Sequence, residues 1–357
     1  MRGKLIGMLV LAVAGGTLYL QRAANTGEEQ GGGTRLPALT VLEEGERAAS
    51  AERGQPGGGA AVAEQAGHGE AASRIEPGAD TEALARAEAA GQELEVAIEL
   101  LALWRAGADT PTGRSAAARL VALERAALQR AAAARPRDPA AERAALTVAY
   151  LAATDAARRA AHQRRLEELA AAEIFSRRPS ADCEIYEVAP GDSLSRIANR
   201  FQFPVDGIMA VNGLGRTLIR AGQRLKIPRG PFAVLVLRDD YRLVVLQAGK
   251  LLRVYEIGIG REGSTPLGRF VIAEKAKNPT WYAPDGVYPY GHPKNILGTR
   301  WLGFEDTELY SGFGIHGTAS PESIGRAESS GCIRLRNPEV EELYGLVPTG
   351  TPVRILP

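Results

Sequence analysis

The sequence predicts a multidomain protein with an N-terminal anchor, an all-α helical segment, a small β-α-α-β module and a mainly-β, sandwich-like C-terminal domain. Three observations lead to this fold class. The chain has 357 residues, more than one ordinary domain holds. Residues 80–176 are rich in alanine, leucine, arginine and glutamate, which is a helix-forming mixture. From residue 231 onward, short apolar stretches alternate with turns, a pattern typical of β-structure.

Composition narrows the classes of partner and cofactor. The 43 basic and 42 acidic residues leave a net charge of +1, which argues against nucleic acid as a partner. Two cysteines, Cys183 and Cys332, exclude a disulfide framework and an all-cysteine zinc site. With 4 histidines in the chain, a histidine-rich metal site is not expected either. We therefore predict no metal and no other cofactor.

Residues 1–22 are predicted to be a signal or transmembrane anchor. Arg2 and Lys4 precede an uncharged, mainly apolar run at residues 5–20. This run is shorter than a spanning helix of about 20 residues and slightly longer than a signal-peptide core of about 7–15. Residues 21–24 (Gln-Arg-Ala-Ala) make a poor cleavage site. The pattern favours an uncleaved anchor in the inner membrane, with the rest of the chain exported to the cell envelope or periplasm.

Two segments separate this anchor from the motif-bearing regions. Residues 23–79 are rich in glycine, glutamate and alanine and lack aromatic residues, which predicts a disordered linker. Residues 80–176 are predicted to form three or four antiparallel helices, either a bundle or a degenerate repeat. Asp138 before Pro139 is typical of a helix N-cap. A protein-docking role and a purely structural role both remain open for these helices.

Residues 184–229 carry the β-α-α-β pattern. A strand ends at Val188, a turn follows at Pro190-Gly191, and two short helices lead to a last strand at residues 224–227. The Pro-Gly-Asp-Ser-Leu opening, Asn212 and the Gly-Gln-Arg-Leu-Lys-Ile-Pro ending resemble a LysM module. The resemblance implies binding of N-acetylglucosamine chains in peptidoglycan or chitin. The glycan-contact residues that it implies are Gly191, Asp192, Ser193 and Asn212.

Residues 231–357 include a glycine motif that we do not assign to a nucleotide. Gly258-x-Gly260-x-x-Gly263 matches the dinucleotide fingerprint in spacing. A turn and an apparent strand at residues 269–273 follow it, so no helix N-terminus is available to hold a pyrophosphate. We expect these glycines to form a loop.

The candidate chemistry lies further along, at His316 and Cys332. A thiolate is the nucleophilic form of cysteine, and a neighbouring imidazole is expected to lower the thiol pKa and later to protonate a leaving amine. Glycines flank both residues, in Gly314-Ile-His-Gly317 and in Gly331-Cys332. The backbone N–H groups of Gly331 and Cys332 are candidate oxyanion donors.

These residues stand in a region that resembles the YkuD-type L,D-transpeptidase catalytic domain. The resemblance covers residues 231–357 and rests on Ser-Thr-Pro-Leu-Gly at 264–268, Asn-Pro-Thr-Trp at 278–281, Ile-His-Gly-Thr at 315–318 and Ser-Ser-Gly-Cys-Ile-Arg-Leu at 329–335. The usual family motif has a second histidine where this chain has Ser330. The resemblance matches the catalytic base to His316, so activity is expected without that second histidine.

The resemblance implies a two-step acyl transfer on peptidoglycan. Cys332 attacks the carbonyl of the third, diamino-acid residue of a stem tetrapeptide, and D-alanine leaves, protonated by His316. An amine of a neighbouring stem then resolves the thioester to give a 3–3 cross-link. Gly317 is expected to orient the imidazole through its carbonyl. The expected partners are glycan strands and stem peptides, with carbapenems as inhibitors, and the expected substrate-binding residues are Arg334, Ser330 and Trp281.

Other readings of the same residues stay open. Water in place of the amine would give an L,D-carboxypeptidase or another thiol hydrolase that uses the same pair. A wall-binding protein with an inactive catalytic fold would rely on the LysM module alone. A metal hydrolase would need His292 beside His316 and Cys332. A disulfide between Cys183 and Cys332 would silence the enzyme, so we expect Cys183 to be distant and free.

Overall fold

A computed structural model describes residues 11–13, 16–18 and 77–357 of the chain. Strands β1 (Leu11–Val13) and β2 (Gly16–Leu18) form an antiparallel pair within the apolar run. Most of the predicted anchor at residues 5–20, and of the predicted linker at residues 23–79, lies outside the described residues. Among the helices that the structure describes, none is both long and apolar enough to cross a membrane.

Residues 77–173 form five helices, against the three or four expected. They are α1 (Pro77–Ala89), α2 (Glu93–Ala106), α3 (Pro111–Ala134), α4 (Pro139–Ala152) and α5 (Ala156–Glu173). Side-chain caps set three of the N-termini, because Thr110, Asp138 and Asp155 each accept a hydrogen bond from a backbone N–H three residues on. The predicted cap at Asp138, with Pro139 in the first turn, is confirmed.

The β-α-α-β pattern is present as predicted. It consists of β3 (Cys183–Glu187), α6 (Leu194–Phe201), α7 (Val205–Asn212) and β4 (Arg224–Pro228), and β3 pairs with β4 in antiparallel fashion. Ser193 caps α6 by accepting from the Arg196 N–H at 3.2 Å. Leu194, Ile197 and Ile208 are buried between the two helices and the strands.

The C-terminal domain is built on one curled sheet. Its elements, in chain order, are β5 (Phe232–Leu237), β6 (Arg242–Gln247), β7 (Lys250–Glu256), β8 (Ile259–Gly260), β9 (Gly268–Lys277), β10 (Trp281–Ala283), β11 (Gly286–Tyr288), β12 (Arg300–Phe304), β13 (Gly314–His316), β14 (Ala327–Ser329), β15 (Ile333–Arg334), α8 (Asn337–Leu346) and β16 (Pro352–Leu356). Eight strands form the main sheet in the order β15-β13-β12-β9-β16-β5-β6-β7. The pairs β10–β11 and β8–β14 lie outside it.

The two ends of this sheet meet. Gly258, two residues beyond β7, donates to the Arg334 carbonyl at 2.9 Å and accepts from the Arg334 N–H at 2.8 Å. Because Arg334 belongs to β15 at the opposite end of the strand order, these two bonds close the sheet on itself. The fold therefore differs from the predicted sandwich: the apolar inner residues face one another within one closed sheet rather than across two.

The helical segment covers the outer face of this sheet. Leu101, Leu146 and Leu166 share a buried cluster with Leu235 of β5 and Leu246 of β6. Ion pairs reinforce the contact: Glu99 of α2 is 2 % exposed and accepts from Arg354 of β16 at 2.6 Å. The helices thus belong to the core of the C-terminal domain and are not a separate bundle.

The β-α-α-β module also packs against the C-terminal domain. Phe203 stacks on Phe232 with ring centroids 5.2 Å apart. A Cβ on Gly207 of α7 would lie 2.2 Å from the Gly345 carbonyl oxygen of α8, so only glycine permits this helix contact. Asp206 and Lys277 form an ion pair at 2.7 Å across the same boundary.

Candidate active site

Strand register brings the candidate nucleophile and base to one face of the sheet. The parallel strands β13 and β15 pair Ile315 with Ile333 and His316 with Arg334. Because side chains alternate along a strand, the two isoleucines point into the core, where they are 0 % and 1 % exposed. His316, Arg334 and the residue before β15, Cys332, therefore share the opposite face.

A backbone carbonyl fixes the imidazole of His316. The side chain is buried, and its Nδ1 lies 2.5 Å from the carbonyl oxygen of Gly317. This contact makes Nδ1 the protonated nitrogen and leaves Nε2 as the proton acceptor. Gly317 itself has no room for a side chain, since a Cβ would lie 2.2 Å from Oδ1 of Asn337 at the start of α8.

The nucleophile loop is held by side-chain hydroxyls. Ser329 Oγ donates to the Cys332 carbonyl at 2.6 Å and accepts from the Gly331 N–H at 3.1 Å. Thr265 Oγ1 accepts from the Gly260 N–H at 2.7 Å and donates to the Gly331 carbonyl at 2.9 Å. Of the two oxyanion donors expected from sequence, the Gly331 N–H is thus already engaged by Ser329. Among residues 77–357, no backbone carbonyl outside the helices and strands accepts from the Cys332 N–H.

The resting pair is neutral, which corrects the expectation that the imidazole lowers the thiol pKa. Burial of the thiol raises the pKa of Cys332 to about 11, and the largest opposing effects come from the Gly314 backbone and Arg334. Burial likewise lowers the pKa of His316 to about 4, with a further lowering by the Arg334 charge. At neutral pH the site therefore holds a thiol and a neutral imidazole.

Arg334 is the cation whose charge acts on the pKa of both His316 and Cys332. Its side chain is half-buried, and burial lowers its pKa. Its buried Nε has no hydrogen-bond partner within the part of the chain that the structure describes. A guanidinium with an unpaired Nε is suited to a carboxylate from outside the protein.

The remaining candidates are more scattered. Ser330 is exposed next to the nucleophile. Trp281 is half-buried on β10, where its ring faces Tyr288 at 5.8 Å, and no described contact joins it to His316 or Cys332. The tryptophan beside the base is Trp301 of β12, whose ring centroid lies 6.0 Å from that of His316.

The residues of the metal-hydrolase and disulfide alternatives do not come together. His292 is exposed and stacks on Tyr288 at 4.7 Å. Among residues 11–13, 16–18 and 77–357 no group of three His, Cys, Asp or Glu side chains is arranged to hold a metal ion. Both cysteines are free, and Cys183 is buried in β3.

The residues named for glycan contact have internal hydrogen bonds. The Asp192 carboxylate accepts from the Tyr186 hydroxyl at 2.6 Å and from the Ala189 N–H at 2.9 Å. The Asn212 amide bonds both the N–H and the carbonyl of Lys226, at 2.7 and 2.8 Å. Gly191 has φ +85° at an exposed turn. Asp192 and Asn212 thus order the module's loops.

The parallel pairing of β13 and β15 thus puts the candidate cysteine and histidine on one face of the sheet. The family model of the L,D-transpeptidase catalytic domain, YkuD, matches residues 231–355, and that of the LysM domain matches residues 186–228. A Bacillus licheniformis relative named as L,D-transpeptidase YkuD is 36 % identical over 186 residues, or 48 % of this chain and 99 % of the relative. The Bacillus subtilis relative YqjB, also named an L,D-transpeptidase, is 38 % identical over 134 residues, or 36 % of this chain and 73 % of the relative.

The chain is also similar to solved structures. An L,D-transpeptidase from Mycobacterium smegmatis is 21 % identical and covers 38 % of this chain and 64 % of its own, with a TM-score of 0.30. The near-complete match to the Bacillus licheniformis relative establishes the family. The chain belongs to the YkuD-type L,D-transpeptidases, and it carries a LysM domain.

Proposed function

We propose that the protein forms 3–3 cross-links in peptidoglycan through a thioester on Cys332. The observation that carries the proposal is the placement of Cys332, His316 and Arg334 on one face of the paired strands β13 and β15. Because both partners are neutral at rest, the thiol transfers its proton to Nε2 of His316 during attack on the substrate carbonyl. The reaction therefore uses general-base activation rather than a preformed thiolate.

The steps follow from the groups present. The sulfur forms a bond to the carbonyl of the third stem residue, and the Cys332 N–H stabilises the developing oxyanion. The imidazolium of His316 gives its proton to the amine of D-alanine. D-Alanine then departs, and the thioester on Cys332 remains. The amine of a second stem then attacks that thioester while His316 accepts its proton; the new carbon–nitrogen bond forms, the carbon–sulfur bond breaks, and the proton returns from His316 to the Cys332 sulfur. The Gly317 carbonyl holds the ring through both steps.

We further propose that the LysM domain binds glycan strands and that the enzyme works in the cell envelope, where its substrate lies. Sugar contact is assigned to the regions around residues 191–194 and 208–214, where Gly191, Ser193 and Gly213 are exposed. A carbapenem is expected to acylate Cys332, because its strained amide carbonyl meets the same thiol and base.

One incubation separates this function from its alternatives. The full chain is mixed with disaccharide-tetrapeptide, and the products are followed by mass spectrometry. A dimer that has lost one D-alanine supports the transpeptidase, and tripeptide alone supports the carboxypeptidase. Unchanged substrate, with parent and Cys332→Ala indistinguishable, would leave the wall-binding function.

A further inference from the structure

The glycine-rich segment after β7 runs against both sides of the nucleophile. Gly258 exchanges two backbone hydrogen bonds with Arg334, and a Cβ on Gly258 would lie 3.4 Å from the Arg334 Cβ. A Cβ on Gly260 would lie 2.8 Å from the Cα of Gly331. The motif that resembles a dinucleotide fingerprint therefore serves here to bring one backbone close to the residues on either side of Cys332.

Arg261 follows this segment directly and is a second guanidinium near the site. It opens the short 3-10 turn Arg261–Gly263 and is exposed. Within residues 77–357 its side chain forms no hydrogen bond or ion pair. Its charge acts on Arg334, whose pKa it lowers further.

The charges that act on Arg334 include one carboxylate of the protein. Glu328, on β14, is the acidic residue whose charge favours the Arg334 cation. It is exposed and already lies 3.5 Å from Arg326. Arg261 and Arg334 thus bring two positive charges to the segments beside the nucleophile loop, and the carboxylate that acts on Arg334 already has Arg326 as a partner, which leaves positive potential for an anion.

We propose that Arg261 and Arg334 together bind the C-terminal carboxylate of the donor stem, so that the enzyme acylates only from peptides that end in a free carboxylate. The inference deepens the proposed function and rests on it. In a tetrapeptide donor, only the amide nitrogen and one carbon separate this carboxylate from the attacked carbonyl. Arg334 lies two residues from Cys332 on the same face, and guanidinium groups bind carboxylates through paired hydrogen bonds.

The bound carboxylate also serves the chemistry. The Arg334 charge disfavours imidazolium at His316, so its neutralisation by the substrate makes proton uptake by Nε2 easier. The sulfur–carbon bond then forms, the carbon–nitrogen bond breaks, and the proton taken from the thiol leaves on the amine of D-alanine. Once D-alanine has gone, the arginine pair is available again for the next donor.

Two matched donors test the proposal: a tetrapeptide with its C-terminal carboxylate and the same peptide as a C-terminal carboxamide. The full chain is compared with Arg261→Gln, with Glu328→Gln and with the control Arg164→Gln, an exposed arginine on α5. Mass spectrometry follows release of D-alanine or D-alaninamide and gives kcat/KM for each donor.

We expect the parent to prefer the carboxylate by at least about 30-fold, since a charged pair is worth up to roughly a hundredfold. Arg261→Gln should cut that preference about tenfold by slowing the carboxylate donor alone. Glu328→Gln should raise the preference, and Arg164→Gln should leave it unchanged.

Two results would overturn the inference while the proposed function stands. The first is equal use of both donors by the parent, and the second is an equal slowing of both donors by Arg261→Gln. If neither donor is turned over, the proposed function fails separately, and binding to Cys332→Ser decides the inference. By calorimetry this variant should bind the carboxylate at least about tenfold more tightly than the carboxamide. Equal affinities would refute the arginine pair.

Discussion

The hydroxyl of Thr265 is the link between the segment at β8 and the nucleophile loop, and Thr265→Val removes it with little change in volume. The side chain is 1 % exposed and bridges the Gly260 N–H to the Gly331 carbonyl at 2.7 and 2.9 Å. Loss of two hydrogen bonds that leaves buried groups unpaired should cost about 2–4 kcal/mol of the free energy of unfolding. A shift of the Gly331–Cys332 backbone by about 1 Å should also slow acylation by up to roughly a hundredfold.

Thr147→Val is the matched control for this change. Thr147 is fully buried and bridges the Arg143 carbonyl and the Leu251 N–H, both at 2.8 Å, where α4 meets β7. Urea unfolding should give similar losses of stability for the two variants. Acylation of Cys332 by a carbapenem, measured per folded molecule, should fall only in Thr265→Val. Equal acylation rates in the two variants would refute the idea that Thr265 positions the nucleophile.

Three further predictions follow from the geometry around the site and the helices. Gly317→Ala should abolish acylation because its Cβ would lie 2.2 Å from Asn337 Oδ1. Adding Asn337→Ala to the same chain should restore part of the acylation rate. If it does not, the clash with Asn337 is not the cause of the loss. Since burial lowers the His316 pKa to about 4, the unfolded chain binds the extra proton first, so the free energy of unfolding should fall as the pH drops from about 6.5 towards 4. His316→Gln should flatten that part of the urea-unfolding profile, and an unchanged slope would exclude His316 as its source. Arg143→Met should cost about 3–5 kcal/mol of the free energy of unfolding, because it removes three buried hydrogen bonds, to the Leu251 carbonyl, Gln247 and Asp182, although Asp182 keeps Lys250 as a partner. A loss below about 1 kcal/mol in urea unfolding would contradict the importance of these bonds.

The candidate pair His316 and Cys332 could be predicted from sequence because its signal is local. Glycines and apolar residues alternate around His316 and Cys332, and the alternation fixes which face each side chain takes once the strands pair. Thr265 lies in the Ser-Thr-Pro-Leu-Gly motif at 264–268, from which the sequence predicts no role for this side chain. Its partner Gly331 is 66 residues away, and no pattern within one strand indicates such a bridge.

The electrostatic state of the site could not be read from sequence. An imidazole near a thiol suggests a thiolate, but burial of each group raises the pKa of Cys332 and lowers the pKa of His316. The same limit applies to the helices. Their composition predicts helix formation, whereas their packing on β5, β6 and β7 depends on distant pairs such as Arg143 with the Leu251 carbonyl at 3.0 Å.

The contact between the LysM domain and the catalytic domain changes how glycan binding would assist the reaction. A module on a flexible tether raises the effective concentration of substrate, and the gain falls as the tether lengthens. Here α7 packs on α8 at Gly207 and Gly345, too closely for either helix to slide freely. The same α8 begins at Asn337, which limits the space at Gly317 beside the catalytic base. A strand held by the LysM domain would therefore reach Cys332 from a fixed direction, and the attachment would select among stems by their orientation along the glycan.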